Sequence, residues 1–235
     1  MSNDTSLTLG VLGGMGPAAT VEFLARLQAY TPAEKDQDHI RVIADINPRA
    51  PDHNAPGSQA GGVLAEMAGA LQGAGAQVLA MPCNTAHAHA DLIQRASGLP
   101  LVDMIGLAAE AAARTGAARA GVLGAKGALK LYREYLAARA MGLVALPPEA
   151  QEQFMVTLYR IKSGDLGHDV KREMQVHAET LRAAGAEVLI AGCTEVPLVL
   201  DDRDVKLELI DPGDLLARRC VGVCLGWEPL PHAPA

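Results

Sequence analysis

LQGAGAQVLAMPC, residues 71–83, returns 110 residues later as LRAAGAEVLIAGC, residues 181–193. Seven of the thirteen positions are identical, and both segments end in a cysteine. Near the same offset, LGVLG at 9–13 matches AGVLG at 120–124. An internal repeat on this scale predicts two lobes built on the same order of strands.

Short apolar runs alternate with longer segments of helical periodicity throughout the chain. The predicted strands are Leu7–Leu12, His39–Ile46, Gln77–Met81, Leu101–Asp103 and Arg119–Leu123. The predicted helices cover 18–30, 62–73 and 86–96, with another that ends at Arg114. Strand–helix alternation predicts an α/β protein in which each lobe is a parallel-sheet αβα sandwich.

The repeat also sets the expected domain boundaries. We predict an N-terminal lobe of residues 1–103 plus 211–235, which carries Cys83, and a C-terminal lobe of residues 104–210, which carries Cys193. Each cysteine follows an equivalent strand at its carboxyl end, where open parallel sheets bind ligands. We therefore expect two pseudo-symmetric lobes with the active site in the cleft between them.

Composition excludes several classes of partner. The 235 residues are 49% hydrophobic and 20% charged, with a net charge of −7 and no run of basic residues, which argues against a nucleic-acid surface. No apolar run reaches the roughly 18 residues that a membrane helix needs, and the first eight residues lack the features of a signal peptide. We expect a cytoplasmic protein whose four cysteines are thiols.

Two thiols at equivalent positions are typical of a particular chemistry. Inverting a stereocentre that bears an acidic C–H bond needs a base on one face and an acid on the other. A thiol has an unperturbed pKa of about 8.5, so a modest shift makes it a usable base near neutral pH. A single cysteine would more often be a small core residue, but the repeat favours an acid/base role for Cys83 and Cys193. Both precede an apparent helix start, where 84–85 and 194–195 are expected to supply caps.

Three motifs then become recognisable: LGGMGPAAT at 12–20, PCNTAH at 82–87 and GCTE at 192–195. They resemble the aspartate/glutamate racemase superfamily and are most similar to its aspartate racemase branch. The resemblance covers roughly residues 9–212. It implies a two-lobed α/β fold, often dimeric, that racemises an amino acid without pyridoxal phosphate or a metal.

The resemblance also implies roles for individual residues. Cys83 and Cys193 would be the catalytic acid/base pair. Arg49 would approach the side-chain carboxylate of the substrate, and Lys162 would supply a second cationic group. The full set of expected substrate-binding residues is Met15, Arg49, Asn84, Thr85, Lys162 and Thr194. For Met15 two positions are open, as part of the pocket lining or packed beneath the first turn.

The sequence departs from the aspartate racemase pattern just after Gly124. Threonines are usual there, whereas this chain carries Ala125 and Ala128. Two hydroxyl donors for a carboxylate are missing, so a related acidic substrate or a relaxed specificity is open as well as aspartate.

Other interpretations remain open from sequence alone. Gly14–Ala19 fits the dinucleotide fingerprint G-x-G-x-x-A, which would make the chain an NAD-linked oxidoreductase, although Asp45 lies 29 residues past Gly16 rather than about 20. A decarboxylase and a maleate-isomerase-like enzyme from the same superfamily are further alternatives, as is a small-molecule sensor without turnover. Cys220 and Cys224, four residues apart with no second ligand pair, are expected to pack in a core rather than to bind zinc.

Overall fold

The computed structural model describes residues 6–51 and 59–231. Within them the chain forms two compact units. The first unit comprises the residues up to Met104 together with those from Gly213 onward, and the second comprises Ile105–Pro212. The proline-containing segment 47–57 falls partly outside the described residues, and the first five and last four residues of the chain lie wholly outside them.

Strands and helices alternate along the described chain. In order, the elements are β1 (Leu9–Gly13), α1 (Pro17–Tyr30), β2 (Val42–Ile46), α2 (Ala60–Gly73), β3 (Val78–Ala80), α3 (Ala90–Ser97), α4 (Met104–Arg114), β4 (Arg119–Val122), α5 (Lys126–Ala137), β5 (Gly142–Val144), α6 (Pro148–Lys162), α7 (His168–Ala183), β6 (Val188–Ile190), β7 (Leu209–Ile210) and α8 (Pro212–Cys224). Three short 3₁₀ helices lie at Asp36–Asp38, Thr85–His89 and Val196–Leu198.

Each unit is built on its own parallel sheet. The first unit has three strands in the order β2-β1-β3, and the second has four in the order β5-β4-β6-β7. The predicted α/β fold with parallel sheets is confirmed. Helix α2 packs on β1 and β2, while α5 and α7 pack on β4.

The repeat is visible in the close packing around one equivalent glycine of each sheet. A Cβ atom on Gly10 of β1 would lie 2.8 Å from the Cβ of Ala76 and 2.8 Å from a methyl group of Leu79. Gly121 of β4 has the same relation to Ala186 and Leu189, at 2.8 and 3.0 Å. The two glycines therefore allow an equivalent turn and an equivalent neighbouring strand to pack closely on β1 and β4.

The turns before the two cysteine-bearing strands also match. Gly75 and Gly185 follow α2 and α7 with φ angles of 100° and 94°, the left-handed region that favours glycine. In both turns the next amide reaches back to a helix carbonyl: Ala76 to Leu71 and Ala186 to Leu181, each at 3.0 Å. This shared helix end explains why the repeat was readable in sequence.

Several predicted elements differ from the observed ones in detail. The predicted strand at 101–103 is a single bridge between Leu79 and Leu101, because the chain enters α4 at Met104. The predicted helix at 86–96 begins as a 3₁₀ helix and becomes α-helical only at Ala90. Strand β2 starts at Val42 rather than at residue 39.

The apolar residues of each unit are buried beneath its helices. Cys83 belongs to the edge of one core cluster with Leu12, Leu64 and Met81, and Cys193 belongs to another with Phe154 and Leu189. Cys220 and Cys224 are both completely buried in α8, which confirms their predicted core positions. Burial raises the pKa of the Cys224 thiol to about 12, so the thiol stays protonated near neutral pH. No helix among the described residues is both long and apolar enough to cross a membrane.

Candidate active site

A tight glycine loop joins β1 to α1 in the first unit. Gly14 has a φ of 98°, and a Cβ atom on it would lie within 2.7 Å of the Asn47 backbone. The hydroxyl of Thr20 accepts the Gly14 amide at 3.0 Å and donates to the Gly16 carbonyl at 2.9 Å. Met15, at the tip of the loop, is half-buried and packs against the core cluster that includes Cys83.

The turn that carries Arg49 is held against this loop. The Asn47 amide donates to the Gly13 carbonyl at 3.2 Å, and the Asn47 side-chain oxygen accepts the Arg49 amide at 3.0 Å. Arg49 itself is exposed. Because β2 neighbours β1 in the sheet, this turn lies at the same carboxyl edge as the glycine loop.

Cys83 lies three residues beyond β3, at the carboxyl edge of the same sheet. Its amide donates to the Met81 carbonyl at 2.8 Å, which turns the chain sharply, and the residue is only 8% exposed. Asn84 and Thr85 follow and are also buried. The predicted α-helical cap is wrong: the chain enters a 3₁₀ helix whose first amides receive no hydrogen bond from the Asn84 side chain.

The imidazole of His87 contacts the backbone of this segment. Its Nδ1 lies 2.8 Å from the Cys83 carbonyl oxygen, and its Nε2 lies 3.3 Å from the Met104 amide. Burial lowers the pKa of His87, with the Asp103 charge and the hydrogen bond to Cys83 acting in the opposite direction. The contact between His87 and Cys83 was not predicted from the sequence.

Cys193 occupies the matching position in the second unit, three residues beyond β6, and is likewise 8% exposed. The backbone before it presses against the end of β4: a Cβ on Gly124 would lie 3.1 Å from the Gly192 carbonyl oxygen. Thr194 follows and is half-buried. Here too the predicted helix is absent in its expected form, because only the three-residue 3₁₀ helix Val196–Leu198 follows, and Glu195 makes no side-chain cap.

Lys162 is the last residue of α6. Its Nζ lies 3.2 Å from Oε1 of Glu195, and the two side chains are 35% and 4% exposed. The contact is an ion pair without hydrogen-bond geometry at Oε1. From the sequence, Glu195 was expected only to cap a helix. Its position directly after Cys193 and Thr194 was the feature that could have indicated a role in the site.

The positions that lack the usual threonines are tightly enclosed. Ala125 is 2% exposed and Ala128 is fully buried. The buried side chain of Gln151 reaches the same strand end and donates from Nε2 to the Gly124 carbonyl at 3.1 Å. No feature of the sequence pointed to Gln151.

The expected site residues therefore form two groups, one in each unit. Met15, Asn84 and Thr85 accompany Cys83, and the Arg49 turn follows β2, which is separated from β3 by β1. Thr194 and Lys162 belong to the Cys193 group, with Lys162 bound to Glu195. Across residues 6–51 and 59–231, no cluster of three or more His, Cys, Asp or Glu side chains could hold a metal ion.

Comparison with known proteins identifies the class. Residues 12–220 match the Asp/Glu/hydantoin racemase family, and the chain belongs to that family. It is 24% identical to the broad specificity amino-acid racemase RacX of Bacillus subtilis, over 94% of this chain and 99% of the relative. It is 31% identical to the glutamate racemase of Synechococcus over 73% of this chain, which spans 65% of that protein.

Solved structures agree on the fold. The aspartate racemase of Picrophilus torridus superimposes with a TM-score of 0.77 at 23% identity, covering 93% of this chain and 94% of that one. The protein is an amino-acid racemase, and hence an isomerase, of the Asp/Glu racemase family.

Proposed function

We propose that this enzyme inverts the Cα centre of an acidic amino acid, aspartate or a close relative, with Cys83 and Cys193 as the two acid/base groups and without a cofactor. The observation that carries the proposal is the equivalence of the two cysteines. Each lies three residues beyond an equivalent parallel strand, and each is 8% exposed. A pair of identical groups suits a reaction whose two directions are mirror images.

The proposed step moves one proton off Cα and another onto it. One cysteine, as thiolate, takes the Cα proton; the C–H electron pair passes into the α-carboxylate, and the sulfur becomes a thiol. The other cysteine, as thiol, then returns a proton to the opposite face and becomes a thiolate. General acid–base catalysis of this kind contributes typically about 10²–10⁴-fold per group.

The carbanion needs donors at the α-carboxylate. Asn84 and Thr85 in the first unit and Thr194 in the second are the polar side chains next to the two cysteines, and we assign them to the α-carboxylate and ammonium groups. Donors fixed by a folded loop stabilise developing charge without reorganising during the reaction. Met15 would supply the apolar wall beside Cys83.

The proposed preference for an acidic side chain rests on Arg49 and Lys162. Arg49 is exposed at the carboxyl edge of the first sheet and offers a bidentate guanidinium. The charge of Lys162 is shared with Glu195, so an incoming carboxylate would meet a paired rather than an isolated cation. Arg49 is therefore expected to contribute more of the selectivity than Lys162.

A broader substrate range is the second candidate. Ala125 and Ala128 are buried where hydroxyl donors are usual in aspartate racemases, and one relative that matches 94% of this chain is a broad specificity racemase. Chiral chromatography of all amino acids, incubated with the enzyme and no added cofactor, separates the two: acidic substrates alone support the first candidate, and neutral or basic ones support the second.

Substitution of each cysteine tests the mechanism. Cys83→Ser and Cys193→Ser should each reduce racemisation at least about 100-fold, while Cys224→Ser, which alters a buried thiol of α8, serves as the matched control. In each variant, deuterium exchange at Cα should fail for the enantiomer whose Cα proton faces the replaced sulfur. Robust racemisation by both variants would remove the two-thiol mechanism.

The proposed assembly follows the family resemblance, and the proposed compartment follows from the cysteine content and the N-terminal sequence. We propose a cytoplasmic homodimer acting on a small-molecule amino acid. Light scattering of the purified enzyme under assay conditions tests the dimer, and a monomer with full activity would reject it.

A further inference from the structure

Both ring nitrogens of His87 are engaged by backbone groups. Nδ1 lies 2.8 Å from the Cys83 carbonyl oxygen, and Nε2 lies 3.3 Å from the Met104 amide nitrogen. His87 is 7% exposed, so water does not compete freely for these bonds. The carbonyl that it binds belongs to the residue that we assign as an acid/base group.

The partners fix the tautomer. An amide can only donate, so Nε2 must present its lone pair to Met104 and the ring proton must reside on Nδ1, which donates to Cys83. The neutral ring satisfies both partners. Burial, which lowers the pKa of His87, favours the same neutral form, whereas a backbone hydrogen bond of Val102 acts in the opposite direction, since it raises the pKa of His87.

Met104 has a special place in the chain. It is the first residue of α4 and the last residue of the first unit before the chain enters the second. A hydrogen bond at its amide therefore ties the Cys83 segment to the start of the connecting helix.

We infer that His87 is a positioning residue that fixes Cys83 through its carbonyl and couples this segment to the N-terminus of α4. The inference rests on the proposed role of Cys83. It assigns no contact between His87 and the substrate; His87 acts through the backbone of the cysteine.

Two substitutions each remove one of these hydrogen bonds and keep the other. In His87→Asn the side-chain NH₂ occupies the place of Nδ1, so it retains donation to Cys83 and loses the acceptor for Met104. In His87→Gln the longer side chain brings its oxygen near the place of Nε2, so it retains the acceptor for Met104 and loses donation to Cys83. The pair thus separates positioning of the thiol from attachment to α4.

Thiol alkylation reports on Cys83 without any need for turnover. Limited iodoacetamide labelling, followed by peptide mass mapping, gives the rate at Cys83 with Cys193 as the reference in the same sample. His87→Gln should raise the Cys83 rate about tenfold, the change that loss of one hydrogen bond of ordinary net strength produces, and His87→Asn should leave it within about twofold. Cys193 should keep its rate in both variants.

Two further readouts complete the test. Exchange of the Met104 amide hydrogen should accelerate about tenfold in His87→Asn and stay near the wild-type rate in His87→Gln. Racemisation by His87→Gln should lose about 10–100-fold in kcat with little change in KM, because a displaced sulfur affects chemistry more than binding. ¹⁵N NMR of the unmodified protein should show His87 protonated at Nδ1.

The outcomes separate this inference from the proposed function. Equal alkylation changes in both variants, an equal change at Cys193, or a ring protonated at Nε2 would overturn the role of His87 even if racemisation by two thiols stands. The opposite outcome is also distinguishable. If alkylation of Cys83 changes as expected but the Cys83→Ser variant still racemises, then His87 positions Cys83 as inferred and the thiol is not an acid/base group.

Discussion

Nζ of Lys162 lies 3.2 Å from Oε1 of Glu195, two residues beyond Cys193. The two ends of this ion pair differ in environment, because the Lys162 side chain is 35% exposed and that of Glu195 only 4%. Removing one partner therefore leaves a charge that is either accessible to water or enclosed by protein, depending on which partner is removed. A lysine at the surface can be hydrated, whereas an enclosed carboxylate cannot.

The first prediction follows from that asymmetry. Lys162→Met keeps the aliphatic stem but strands a buried carboxylate, and should lower the free energy of unfolding by about 3–5 kcal/mol. Glu195→Gln leaves a half-exposed ammonium, and should cost only about 1–2 kcal/mol. Urea unfolding at pH 7.5 measures both. Equal costs would show that the carboxylate is not enclosed as the structure has it.

The second prediction concerns the repeated glycine contacts. Gly10→Ala and Gly121→Ala each place a methyl group 2.8 Å from an alanine Cβ, so each should destabilise its unit by about 1–3 kcal/mol. Gly69→Ala is the control, since nothing lies within 4 Å of its Cβ position in α2, and it should stabilise by about 0.5–1 kcal/mol. Thermal unfolding compares the three; a neutral Gly10→Ala would contradict the close packing.

The third prediction uses the pKa of His87. Burial lowers the folded-state pKa below the value of about 6.5 expected for the unfolded chain, so the unfolded state binds more protons as pH falls below 6.5. The contribution of the neutral ring is complete above pH 6.5 and is lost below it. The wild type should therefore lose stability relative to His87→Asn by up to about 1.4 kcal/mol per pH unit on acidification.

Urea unfolding at pH 7.5, 6.5 and 5.5 checks this slope. His177, whose pKa burial also lowers, is present in both proteins, so its contribution cancels. Parallel pH dependences for the wild type and His87→Asn would show that His87 accepts protons equally in both states.

The fourth prediction concerns Arg49. Arg49→Ala should raise KM for an acidic substrate at least about tenfold, since a charge-assisted bond to a carboxylate is worth about 1.5–3 kcal/mol, and should affect neutral amino acids much less. Arg95→Ala, which alters another exposed arginine of the same unit, is the control. Unchanged aspartate kinetics in Arg49→Ala would reject the assigned contact.

Sequence predicted the features that arise locally. The glycines at 75 and 185 end equivalent helices in the left-handed conformation, so the repeat was visible as a pattern of identical residues. The order of strands and helices followed from apolar periodicity. The boundaries near the cysteines were less predictable, because a 3₁₀ helix after Cys83 and another after Cys193 carry no periodic pattern of their own.

The supporting contacts of the site could not be predicted for a different reason. His87 meets Met104 across 17 residues, Glu195 meets Lys162 across 33, and Gln151 meets Gly124 across 27. Such contacts depend on how the helices pack on each sheet, which single-sequence patterns do not encode. The departure at Ala125 and Ala128 was readable, but the enclosure of both methyl groups was not.

Initial turnover in D₂O tests the central claim most directly. With one enantiomer of the substrate as the only starting material, two thiols require the product to carry solvent deuterium at Cα while the remaining substrate keeps its protium, since the second sulfur delivers a solvent-equilibrated proton. Product that retains the protium of the substrate from the first turnovers would mean that a single group serves both faces, and would contradict the account.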